Sequence, residues 1–145
     1  MTRTILFVCV GNVGRSQIAE AIFNKLKPSG HDLRAISAGT EPGKEINPLV
    51  IEALAEIGID ASANRPKPIS PNMIAEAERI ITMGCEEADF CPAKFLPKVE
   101  EWDIEDAKGK SLDQIRSIRD TIYHRVEILL RELQSSGRGI TTQTD

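Results

Sequence analysis

Aromatic residues are scarce, at 4% of the chain with one tryptophan and one tyrosine, which argues against a surface that reads bases or sugars by stacking. Cationic runs are missing as well. The 145 residues carry a net charge of -4 and no cluster of lysines and arginines, so the long-range positive field that gathers nucleic acid is absent and no such partner is expected. Nothing approaches the roughly 20 apolar residues of a membrane span. The most apolar stretch, Thr4 to Val10, has neither the basic start nor the cleavage site of a secretory signal. No membrane partner and a cytoplasmic location are therefore expected. Cysteine is limited to Cys9, Cys85 and Cys91, too few and too odd a number for the disulfide framework of a secreted domain. In a reducing compartment such thiols are read as chemistry first.

What is present is ordinary for a globular protein: 41% apolar and 28% charged residues. The length suits one domain, read as residues 1–134, with Ser135 to Asp145 as a polar, flexible tail. Arg3 to Val8 is nearly continuous in apolar character, as a strand buried on both faces would be. From Ser16 to Lys27 apolar residues recur at helical spacing, and Pro28 and Gly30 stop the run. Asp32 to Ile36 predicts a second strand. Asn47 and Pro48 open a second helix that Gly58 ends, and Ser70 and Pro71 open a short one to about Ala77. Arg79 to Met83 predicts a third strand, Gly84 to Pro97 a long loop, and Val99 to Trp102 a short fourth strand. Ser111 with Gln114 forms a capping box for a last helix that buries Ile115, Ile118, Ile122, Val126, Leu129 and Leu133. This alternation predicts an α/β fold, a three-layer sandwich around a central four-stranded parallel sheet. Cys9, Cys85 and the segment Asp103 to Asp106 all fall just past predicted strands, where ligands of such sheets sit.

Between Cys9 and Arg15 lie Val10, Gly11, Asn12, Val13 and Gly14. The glycines let backbone N–H groups curl around one point, and the helix that follows adds its own unpaired N–H groups and the positive end of its dipole. A cysteine placed there is favoured as thiolate. Arg15 offers a planar fork of donors suited to two oxygens of a tetrahedral anion such as phosphate or arsenate. Asn12 tolerates left-handed backbone, and Ser16 either donates to the Cys9 sulfur or caps the helix. A buried core thiol is the competing description of Cys9; glycines, arginine and serine at these offsets between strand and helix speak against it.

The stretch V-C-V-G-N-V-G-R-S-Q-I-A-E-A at 8–21 resembles the C-x5-R-S loop of the low-molecular-weight protein tyrosine phosphatase superfamily, and within it the thioredoxin-coupled arsenate reductases. S-A-G-T at 37–40, N-P at 47–48, G-I-D at 58–60, M-G-C then C-P at 83–92 and W-D-I-E-D at 102–106 extend the likeness over residues 3 to about 134. It implies a low-molecular-weight phosphatase-like fold, Cys9 as nucleophile, Arg15 as oxyanion clamp and Asp106 as the acid that protonates the departing oxygen. Asp103 and Glu105 are nearby competitors, and all three also suit a solvated acidic turn. The likeness further implies that Cys85 attacks Cys9 to release arsenite, that Cys91 resolves to a Cys85–Cys91 disulfide, and that thioredoxin restores the dithiol. From the residues alone, Cys85 is equally a core cysteine closing a strand and Cys91 a loop thiol.

No cofactor or metal is expected, because His31 and His124 lack ligand-like spacing to the cysteines. Several positions depart from the family pattern. Gly14 stands where many relatives carry a second loop cysteine, and the five residues between Cys85 and Cys91 are slightly fewer than expected. Ala107 replaces a usual proline, and Lys67 falls where potassium-binding relatives place an aspartate, so its ammonium can stand in for the ion. The leading expectation is reduction of arsenate to arsenite. The alternative is a phosphatase acting on phosphotyrosine or small phosphoesters, weakened for tyrosine by the lack of aromatics flanking Asp106. A third, a non-catalytic anion-sensing domain, is opposed by the joint presence of Cys9, Arg15, Ser16 and Asp106.

Overall fold

The computed structural model describes residues 2–30 and 32–142, with side chains as far as 135; His31 lies outside the described residues. Four parallel strands, β1 (Arg3–Cys9), β2 (Leu33–Gly39), β3 (Ala77–Met83) and β4 (Val99–Glu101), form one sheet in the order β2-β1-β3-β4. The helices are α1 (Arg15–Leu26), α2 (Pro48–Ala55), α3 (Pro71–Glu76) and α4 (Leu112–Thr142). No helix among them is long and apolar enough to cross a membrane.

Alternation along β1 divides the core into two layers. Ile5, Phe7 and Cys9 face the side covered by α1, α2 and α4, where they meet Ile18, Phe23, Leu54, Ile115 and Val126. Leu6 and Val8 face the other side, with Ile80, Ile74 of α3 and Cys91. Fully burying a residue of this kind contributes roughly 1.5–3 kcal/mol, so both faces of β1 are anchored. Because β1 is central and the chain leaves it for β2 on one side and β3 on the other, a crevice opens beyond its carboxyl end.

The capping signals form as read. Asn47 Oδ1 accepts from Leu49 N at 3.0 Å and Ser70 Oγ from Met73 N at 3.3 Å. In the capping box before α4, Ser111 N donates to Gln114 Oε1 at 2.9 Å and Gln114 N to Ser111 Oγ at 3.2 Å. Glu56, just past α2, ties that helix to α4 through Arg116 at 2.6 Å and Arg119 at 2.8 Å. Those guanidinium groups, Arg116 foremost, hold the Glu56 carboxyl down at about 2.

Beyond shifts at helix and strand ends, such as α2 stopping at Ala55 and β4 at Glu101, four differences stand out. β2 continues past Ile36 to Gly39, because Ser37, Ala38 and Gly39 pair with Phe7, Val8 and Cys9; ladder hydrogen bonds override the weak strand preference of Ser-Ala-Gly. β3 begins at Ala77 rather than Arg79, directly after α3. The 84–97 loop holds two 3-10 turns, Glu87–Asp89 and Ala93–Lys98. Ser135, read as the start of a tail, lies within α4, whose backbone runs to Thr142; residues 143–145 lie outside the described residues.

Candidate active site

The loop from Cys9 to Arg15 is shaped by a buttress behind it. The carbonyls of Cys9, Val10, Gly11 and Val13 accept from the N–H groups of Thr40 (3.2 Å), Glu41 (2.8 Å), Gly43 (2.9 Å) and Asn47 (3.0 Å). In a planar trans peptide the N–H points opposite to the C=O, so with the carbonyls drawn outward the next amides, at Val10, Gly11, Asn12 and Gly14, turn inward. Close approach of the buttress requires Gly39, where a methyl group would lie 2.6 Å from Val10 O and 3.0 Å from Asn12 Cβ. The result is a ring of donors at the positive end of α1.

Cys9 sits at the floor, 3% exposed. Its Sγ accepts from Asn12 N at 3.3 Å and lies 2.8 Å from Ser16 Oγ. Asn12 adopts the left-handed conformation expected of it, with φ 54°. Its Oδ1 accepts from Lys67 N at 2.9 Å and Gln17 Nε2 at 3.0 Å, which leaves Nδ2 to donate to Ser16 Oγ at 2.7 Å. The serine hydroxyl proton is thereby free to point at a Cys9 thiolate. Of the two roles open to Ser16, the structure shows the bond to sulfur: Gly14 occupies the helix N-cap and no side chain caps α1.

Arg15 reaches across to the segment after β4. Its Nη1 donates to Ile104 O at 3.2 Å, and Nη2 lies 3.6 Å from Asp106 Oδ2. Of the three acids in that segment, only Asp106 lines the Cys9 pocket. Trp102, Ile104 and Ala107 are buried, and a methyl on Gly14 would meet Ala107 Cβ at 3.2 Å, so Ala107 packs onto the loop. Asp106 is left at the rim, accepting from Lys108 N at 3.1 Å. Glu105 instead pairs with Lys110 at 3.3 Å. Cys9, the loop residues to Arg15, Glu41, Gly43, Asp106 and Lys108 line a pocket of about 430 Å³, free of aromatic side chains.

All three cysteines are free thiols. Cys85 lies two residues past the end of β3, whose Met83 pairs with Cys9, and its Sγ is 4.0 Å from Val8 O. Burial, joined by the charge of Cys9 and opposed by that of Arg15, pushes the Cys85 thiol up to about 12. Cys91 is also raised, by burial, with Lys98 acting against it. Cys9 belongs to the core layer under α1 and α4, whereas Cys91 belongs to the layer under α3. Cys85 packs beside that second layer at the sheet edge between them.

Lys67 Nζ stands 3.8 Å from Glu20 Oε1, and Ser37 Oγ donates to the same oxygen at 2.7 Å, so the ammonium pairs with the acid of that corner. His124 lies on the exposed face of α4. Among the described residues no group of three or more His, Cys, Asp and Glu is placed to hold a metal ion. The pattern of residues did not reveal the 40–47 buttress, the Glu41 and Lys108 rim, or Gln17 as a brace for Asn12. Only Gly39 and Gly43, between the second expected strand and the second expected helix, hinted at the first of these.

The sequence profile of the family described as low molecular weight phosphotyrosine protein phosphatase matches residues 4–138. Arsenate reductase 2 of Staphylococcus haemolyticus is 36% identical over 129 residues, spanning 86% of this chain and 94% of that protein. Among solved structures, the thioredoxin-dependent arsenate reductase of Corynebacterium glutamicum superposes with a TM-score of 0.78 at 36% identity, over 93% of this chain and 63% of that one. The YwlE arginine phosphatase of Geobacillus stearothermophilus superposes at 0.82 with 25% identity, over 92% and 94% of the two chains.

Proposed function

The chain belongs to the low molecular weight phosphotyrosine protein phosphatase family, and on that premise we propose that it reduces arsenate to arsenite through its three thiols. The observation that carries this reading is the placing of Cys85. It lies at the sheet edge beside the strand that ends in Cys9, and on the same loop as Cys91.

In this mechanism the inward amides and Arg15 seat the arsenate oxygens, and the Cys9 thiolate attacks arsenic. An As–O bond breaks as an S–As bond forms, and Asp106 protonates the departing oxygen, a contribution of about 10²–10⁴ in rate for a well-placed acid. Cys85 then attacks Cys9 Sγ. A Cys9–Cys85 disulfide forms, and the electron pair of the S–As bond stays on arsenic, which leaves as arsenite. Cys91 attacks Cys85 next, expelling Cys9 as thiolate and leaving a Cys85–Cys91 disulfide. Two thiols are oxidised and arsenic gains two electrons. An external dithiol of the thioredoxin type restores the pair.

Two features support this order. The charge of Cys9 helps to keep Cys85 protonated, and an arsenic adduct moves that charge from the sulfur onto oxygens held by Arg15 and the loop amides, so Cys85 faces a neutral sulfur when its target exists. Cys9 and Cys91 also lie under opposite faces of the sheet, so a carrier between them is needed.

Hydrolysis of a phosphoester is the second reading, favoured by the likeness to a low molecular weight protein tyrosine phosphatase from T. tengcongensis at a TM-score of 0.82 and 27% identity, because it begins with the same attack and needs only Cys9, Arg15 and Asp106. Side-by-side assays separate the two. With a thioredoxin system as reductant, the protein should form arsenite catalytically and turn over an aryl phosphate far more slowly. Brisk phosphate release with no arsenite would overturn the first reading in favour of the second.

A further inference from the structure

Arg15 can clamp an oxyanion only if its guanidinium is held in one place, and two polar contacts bear on it. Ile104 O accepts from Nη1 and Asp106 lies beside Nη2. Main chain bears on it as well. Gly84 lies one residue past β3 with φ +85°, and a methyl group there would overlap Arg15 Nη1 and come within 3.0 Å of both Cζ and Nη2. The other glycines with positive φ, at 30, 58 and 109, have nothing within 4 Å of such a methyl. Those three serve turns; Gly84 serves a turn and also leaves room for a cation.

We propose that Gly84 is a positioning residue for Arg15: its missing side chain forms the wall against which the guanidinium is held flat toward the loop. The proposal rests on the reading of Arg15 as oxyanion clamp. The atoms a side chain would strike belong to the flexible end of Arg15 rather than to backbone, so a substitution displaces the clamp before it disrupts the fold. A residue beside the relay thiol Cys85 thereby sets the grip on the substrate at Cys9, although it touches neither sulfur chemistry nor anion.

The test is the affinity of the reduced protein for inorganic phosphate, followed by NMR titration, which reads weak binding. Gly84→Ala and Gly84→Asn form the informative pair. Asparagine accepts positive φ better than alanine, so the two differ in backbone strain and in Tm while both bring a Cβ against Arg15. Both should weaken phosphate binding alike, by about tenfold or more, as expected when a charge-assisted contact is lost. In an Arg15→Ala background, Gly84→Ala should change the affinity by less than twofold. The proposal is overturned if Gly84→Asn binds phosphate as wild type does, which would make strain the only role of the glycine. It is equally overturned if Gly84→Ala weakens binding as much without Arg15 as with it. Arg15→Ala binding phosphate like wild type would remove the clamp itself and the proposal with it. That result is distinct from one in which Arg15→Ala fails to bind and the Gly84 variants bind normally.

Discussion

Cys9→Ser should reduce arsenite formation by about a thousandfold or more, to the background rate. A serine hydroxyl is a weak nucleophile with no base beside it, since Ser16 and Asn12 are arranged to donate toward the position of the sulfur. Even an ester of serine with arsenate would lead nowhere, because Cys85 cannot draw an electron pair to arsenic by attacking oxygen. The same variant should alter Cys85. Burial is the larger cause holding that thiol up and the charge of Cys9 the next, so removing Cys9 leaves the first and abolishes the second. A raised thiol is neutral below its titration and becomes reactive only as pH climbs toward it. Alkylation of Cys85 by iodoacetamide, mapped by mass spectrometry from pH 7 upward, should therefore start at lower pH in Cys9→Ser than in wild type and still above that of an ordinary cysteine. Arsenite formation at an undiminished rate would contradict every covalent version of the mechanism.

Cys91→Ser should stop turnover after one arsenate and hold the protein as a Cys9–Cys85 disulfide. Cys91 makes few structural demands: its Sγ lies 3.6 Å from the carbonyl of Pro92 and it sits at the margin of the second core layer, 9% exposed. Serine there should leave the fold intact. Without the third thiol nothing within the chain can attack Cys85, so one equivalent of arsenite is released and Cys9 stays blocked. Peptide mapping without reductant should recover the Cys9 and Cys85 peptides joined. Sustained turnover with free thiols throughout would mean that Cys91 is a bystander and that an external thiol resolves the first disulfide.

The catalytic loop was legible because its information is local. A buried strand, a fixed spacing from Cys9 to Arg15 and a helix start lie within one short stretch, and Asn12 sits in the left-handed conformation its residue type invites. The capping pairs at Asn47, Ser70 and Ser111 were legible for the same reason. What the residue pattern did not disclose depends on contacts between distant segments. The extension of β2 through Ser37, Ala38 and Gly39 comes from pairing with β1, and hydrophobic periodicity does not register a strand made of small residues. The buttress from Thr40 to Asn47 acts through main-chain N–H groups, which every residue type except proline possesses. Asp106 differs from Asp103 and Glu105 only in what the fold brings to it, the Arg15 guanidinium 3.6 Å away and the Cys9 pocket that it lines. Gly84 begins a long loop in the sequence, and only the fold brings the Arg15 guanidinium against it.

In this mechanism the electrons that reduce arsenic come from the chain itself. Fully reduced wild-type protein, freed of external thiol and mixed with excess arsenate, should lose two of its three free thiols per molecule and release one arsenite. The remaining free thiol should map to Cys9, with Cys85 and Cys91 joined. Three thiols still free beside unreduced arsenate, in protein whose Cys9 is intact and reactive toward iodoacetamide, would contradict it.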